Sequence, residues 1–117
     1  MGAGKIDLSL AVLFLDSLKA PYLFTDLNHT IRYMNAAAVA NYTGGEDLLG
    51  TSLLECHNKE SQKIILEIFE EMKTGLEERL ITDNEKYRIY MRAVRDAEGK
   101  LLGYYERYEP PNRTGSD

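Results

Sequence analysis

A single cysteine, Cys56, is all the thiol chemistry that the 117 residues contain. It permits no internal disulfide and points to a reducing compartment, so the cytoplasm is the expected setting. Basic charge is also in short supply: 14 Lys and Arg stand against 19 Asp and Glu, a formal charge of −5. No basic stripe interleaves with aromatics either, so a phosphate backbone would gain little from this surface, and nucleic acid is not an expected partner. Long hydrophobic runs are missing too. The stretch Leu8 to Leu15 lies between Asp7 and Asp16, is too short to span a bilayer, and has no small-residue cleavage site after it. Neither a membrane anchor nor a signal peptide is expected. The opening MGAGKI has no Ser or Thr at residue 6 for myristoylation, and GAGK lacks the spacing of a phosphate-binding loop.

What is present fits one module with one core. Hydrophobic residues make up 44% and charged residues 28%, and eight tyrosines against three phenylalanines imply many half-wet aromatic positions. Residues 6–18 read as a helix that stops ahead of Pro21. Leu8, Ala11, Val12, Leu15 and Leu18 form one stripe on it, while Leu10, Leu13 and Phe14 lie outside that stripe. A second apolar stripe on a terminal helix needs a second partner, and a homodimer through residues 6–18 is the simplest supply. The alternative is that both stripes wrap into one groove of the same domain.

Two short runs, PYLFTD and TIRYMN, flank the turn formers of LNH and read as a hairpin. Asn35 is placed to cap the alanine-rich helix that follows, and Gly44, Gly45 and Gly50 bracket another helical turn. From Asn58 to about Lys73 one longer helix turns Ile65, Ile68, Phe69, Met72 and Leu76 inward, with Gly75 as its stop. Three strands, ERLITD, KYRIYMRAVRD and KLLGYYERYE, complete the order. In the middle one Ile89, Met91 and Ala93 alternate with Arg88, Tyr90 and Arg92, giving an apolar face and a polar or aromatic face.

This order resembles a PAS domain over roughly residues 10–109. The likeness rests on LKAPYLFTDLNHTIRYMNAAAVANYTGGEDLLG at the start and on RAVRDAEGKLLGYYERYEP, similar to the family's closing hairpin. The segment CHNKESQKIILEIFEEMKTG resembles a bacterial subgroup in which a Cys-His pair opens the long helix. The chain departs from the family at its end, where ERYEPP stands in place of an Asp-Ile-Thr linker signal. The resemblance implies an α+β fold, a PAS-like five-stranded antiparallel sheet with helices packed on one face and an N-terminal flanking helix. Its expected divisions are the flanking helix at 1–18, the PAS domain at 19–109 and a tail or linker at 110–117. It also implies a sensory and dimerisation module, not an enzyme, with a cavity between sheet and long helix that holds heme, flavin, a small organic acid or nothing. Light-sensing flavin chemistry would need a cysteine in an NCRFL-like segment, which this chain lacks. No output domain is encoded, so the chain is expected to be a piece of a larger signalling protein or a stand-alone adaptor.

The Cys56-His57 pair carries four readings. A nucleophile-base pair is disfavoured because adjacent side chains point apart, and a zinc site because one Cys and two His supply too few ligands. A heme axial ligand needs a single neutral imidazole, which the positive end of a helix dipole would favour at His57; the same field would lower the Cys56 thiol pKa. The fourth reading is structural, with His57 or Asn58 capping the helix and Cys56 buried on a cavity floor. Phe24, Tyr33, Ile65, Phe69, Tyr90 and Tyr104, together with Cys56 and His57, are the candidate pocket residues, and plain core is the competing role for the aromatic and aliphatic ones. Arg88 and Arg92 could clamp a carboxylate ligand, or else stay solvated or pair with Glu106 across the hairpin.

Overall fold

The computed structural model describes residues 4–111. Helix α1 covers Leu8–Ser17, and the side chain of Asp7 caps it by accepting from the amide of Leu10 (2.8 Å). Strands β1 (Tyr22–Asp26) and β2 (Ile31–Met34) form the expected hairpin, and α2 (Ala36–Asn41) follows. Single 3-10 turns at Gly45–Leu48 and Leu53–Cys56 lead to α3 (Lys59–Lys73); the second of them had no counterpart in the sequence pattern. Strands β3 (Glu78–Asp83), β4 (Arg88–Arg95) and β5 (Leu101–Glu109) close the chain. The tail expected at 110–117 lies outside the described residues from 112 onward.

All five strands join one antiparallel sheet in the order β2-β1-β5-β4-β3, so the last strand sits at the centre. Strand alternation then sorts the side chains. Leu23 and Thr25 of β1, Ile89, Met91 and Ala93 of β4, and Tyr104 and Glu106 of β5 are buried on the inner face. Helix α3 lays Ile65, Ile68, Phe69 and Met72 on that face, at the 3-4 spacing its sequence predicts. Ile31, Met34, Ala38 and Leu53 complete the core. Burying each large aliphatic side chain contributes roughly 1.5–3 kcal/mol.

Gly103 marks a close approach of β5 to β1. A Cβ there would meet the carbonyl oxygen of Thr25 and stand 3.0 Å from the Phe24 ring, so the central strand tolerates no side chain at this register.

Helix α1 has no buried residue and lies against the hairpin and α2 through its last turns. Ala11, Val12, Leu15 and Leu18 are half-buried, whereas Leu10, Leu13 and Phe14 are 53%, 65% and 59% exposed. Leu8, expected on the inward stripe, is 80% exposed, because the helix contacts the domain only from its second turn.

Candidate functional site

The seam between α3 and the sheet holds a cavity of about 80 Å³ lined by His57, Ser61, Ile64, Ile65, Ile81, Thr82, Ile89, Glu106 and Tyr108. Its polar centre is Glu106. The register Leu23↔Glu106↔Met91 places this carboxyl in the middle of the sheet on the inner face, where it is 3% exposed. Oε1 accepts a long hydrogen bond from the Tyr42 hydroxyl (3.4 Å), and among the described residues Oε2 is the buried side-chain polar atom with no partner. Burial holds the carboxyl above its ordinary pKa, partly offset by the charge of His57 and the Tyr42 hydrogen bond. The effect is reciprocal: burial, then Glu106, raises the Tyr42 phenol, and Tyr108 is raised by burial as well.

His57 closes the cavity at the start of α3. Its Nδ1 lies 2.9 Å from the Leu53 carbonyl, an acceptor only, so the ring donates from Nδ1. Asn58, not His57, is the cap of α3, accepting from the Ser61 amide at 2.8 Å, while Gln62 Nε2 donates to the His57 carbonyl. Cys56 is exposed and does not floor the cavity. Its thiol pKa is raised, by partial burial of the sulfur and then by Glu106 and Glu55, and not lowered by the helix dipole.

Ile65 lines the cavity. Phe69 and Tyr104 belong to the same inner face at the other end of the core, around a residue that the sequence did not single out. His29, at φ +64 in the β1–β2 turn, sets Nδ1 2.8 Å from the Tyr104 hydroxyl and packs edge-on against Phe69 with ring centroids 4.7 Å apart. Burial lowers the His29 pKa, so this ring is held neutral.

Phe24, Tyr33 and Tyr90 do not line the seam, because they alternate with inner-face residues and occupy the opposite face of the sheet. Phe24 and Tyr33 join Leu15, Tyr22 and Tyr105 around an apolar groove of about 420 Å³. The Tyr33 hydroxyl donates to Asp16 Oδ1 (2.6 Å) and thereby docks α1; burial and Asp16 push this phenol up to about 12. Tyr90 lies under Arg107, whose guanidinium is 4.4 Å from the ring centroid. Arg88 and Arg92 do not pair with Glu106. Arg88 meets Glu109 at 3.2 Å and Arg92 meets Glu78 at 3.4 Å, with Arg107 bridging both carboxylates, and that lattice holds Glu78 below its usual pKa. Among the described residues no cluster of three or more His, Cys, Asp or Glu is arranged to hold a metal ion.

The sequence matches the family model of the PAS domain over residues 12–109. The chain belongs to the PAS domain family, whose members are sensory signalling modules. Solved structures agree on the fold. A C-terminal domain from Streptococcus mutans superimposes with a TM-score of 0.77 at 20% identity, covering 94% of this chain and 89% of that one. The PAS domain of Bordetella pertussis BvgS gives 0.63 at 16% identity, covering 93% and 89%. A sensory box sensor histidine kinase from Vibrio cholerae gives 0.61 at 13% identity, covering 91% and 92%. No curated protein matches the chain. Among the described residues no helix is long and apolar enough to cross a membrane.

Proposed function

We propose that this PAS domain is a non-catalytic sensory module that binds a small ligand in the seam cavity and works as a homodimer, relaying occupancy through α1 to an output domain or partner protein. The observation that carries the ligand reading is the unpartnered Glu106 Oε2 beside His57 in a cavity between sheet and helix. Buried polar groups without partners are rare and costly, and a ligand that supplies the missing partner relieves that cost. A reducing, cytoplasmic setting is proposed on the single cysteine. The reading is tested by shift mapping with ethanol, acetamide, acetate and ethylammonium as probes. The expected result is that at least one moves the backbone amides of His57, Ile65, Ile89 and Glu106; silence at these positions for all four would remove the ligand.

Heme does not fit the seam. Its volume of about 80 Å³ is far below the roughly 300–1,000 Å³ of pockets that take drug-sized molecules, and a porphyrin is at the large end of that class. His57 is therefore assigned to the cavity wall and not to iron.

Dimerisation is proposed through Leu10, Leu13 and Phe14, the exposed apolar side of α1. Leu13→Glu is expected to leave the far-UV spectrum unchanged and to convert a dimer to a monomer in sedimentation velocity. A dimer that survives the substitution would place the interface elsewhere. A ligand-free dimerisation module is the second reading, favoured by the small volume of the cavity; it predicts the Leu13→Glu result together with silent shift mapping.

A further inference from the structure

The seam cavity is built for one sign of charge. Glu106 Oε2 is unpartnered and, once ionised, only accepts, and His57 has its Nδ1–H committed to the Leu53 carbonyl. Ser61, Thr82 and Tyr108 carry hydroxyls that donate or accept. No lysine or arginine is among the lining residues, and the nearest guanidinium lattice, Arg88, Arg92 and Arg107, is on the other face of the sheet and already paired. Once Glu106 is ionised, an organic acid entering the seam would set a second anion beside it with no lysine or arginine to separate the two, which is unfavourable in a poorly solvated site.

We propose that the cavity takes a short primary alkylammonium cation, its ammonium group donating to Glu106 Oε2 and its alkyl end among Ile64, Ile65, Ile81 and Ile89. This rests on the reading of the seam as the sensory site. The cavity of about 80 Å³ limits the ligand to a small one. An ammonium group has three donors and no acceptor, the complement of this lining. The chain's charge of −5 adds a long-range bias in the same direction.

Binding has a proton signature. Burial raises the Glu106 pKa in the empty cavity and an entering cation lowers it, so ammonium binding is coupled to proton release from Glu106. The other titratable groups that act on Glu106, or are acted on by it, are His57, Tyr42, Tyr104, Tyr108 and Cys56.

The test is isothermal titration of the chain with ethylammonium chloride, sodium acetate and ethanol, each in phosphate and in MOPS at neutral pH. Ethylammonium is expected to bind at one site, with a heat that differs between the two buffers because a proton is released. Glu106→Gln is expected to weaken that binding about 30-fold, as loss of a charged hydrogen bond does. Ile64→Trp, at a half-exposed position on α3 where the indole would fill the cavity mouth, is expected to abolish it and decides the matter if the Gln variant does not fold. Acetate or ethanol binding that Ile64→Trp blocks, with no heat from ethylammonium, would overturn the cation and leave the seam as a ligand site. No heat from any of the three would overturn both readings, and ethylammonium binding that neither variant changes would overturn the placement.

Discussion

Glu106→Gln is expected to raise the melting temperature in mildly alkaline buffer and to leave it near wild type at pH 4.5. The folded pKa of Glu106 is raised above its unfolded value of 4.5, so its contribution to stability is complete below that pH and is lost as pH rises through the folded value. Burial is the main cause, and the partners only soften it: the charge of His57 acts against it, and Tyr42 reaches Oε1 alone. Glutamine keeps an oxygen for Tyr42 and has nothing to ionise. Leaving a buried group without its partner costs about 2 kcal/mol, more when it is charged. For a domain of this size that is a shift of about 8 °C. A variant less stable than wild type at both pH values would mean that Glu106 is an ion held by a partner.

Asn35→Ala is expected to cost about 4 kcal/mol in urea unfolding, several times the effect of Asn58→Ala. Both side chains cap a helix, and a cap alone is worth about 1 kcal/mol. Asn58 caps α3 at an exposed position and does no more. Asn35 is fully buried, and besides the Ala38 amide its Oδ1 accepts from the Tyr22 amide, while Nδ2 donates to the carbonyls of Leu15 and Ala20, all at 3.0 Å. Alanine strands those backbone groups away from water, and each stranded buried group adds about 1 kcal/mol or more. The same amide ties the end of α1 to β1 and α2, so the variant is also expected to loosen α1, visible as faster hydrogen exchange at Val12 and Leu15. Equal losses for the two variants would show that Asn35 is only a cap.

Much of the fold was legible because local chemistry and periodicity agree: Asn35 and Asn58 at helix starts, the 3-4 spacing of α3, and the alternation of β4. The candidate site was legible only in part. Tyr90 alternates with Ile89 and Met91, and its neighbours Arg88 and Arg92 already marked that face as the outer one. Phe24 is separated from the inner face by the same parity, between Leu23 and Thr25. The sequence offers Glu106 only as a cross-hairpin partner for Arg88 and Arg92, the alternative to their staying solvated. Parity from Tyr104 puts it inward, and only the central place of β5 in the sheet shows that inward there means buried. His29 was out of reach for a different reason: its contact with Tyr104 spans 75 residues and depends on a left-handed turn residue that local pattern does not announce.

The most direct measurement is the pH titration of the Glu106 side-chain carboxyl carbon by NMR in the ligand-free protein. The account predicts a carboxyl that titrates above the ordinary carboxylate value of 4.5, because it is buried and its Oε2 has no partner. Titration at or below that value would contradict it, showing a carboxylate already satisfied and a cavity with nothing to offer a ligand.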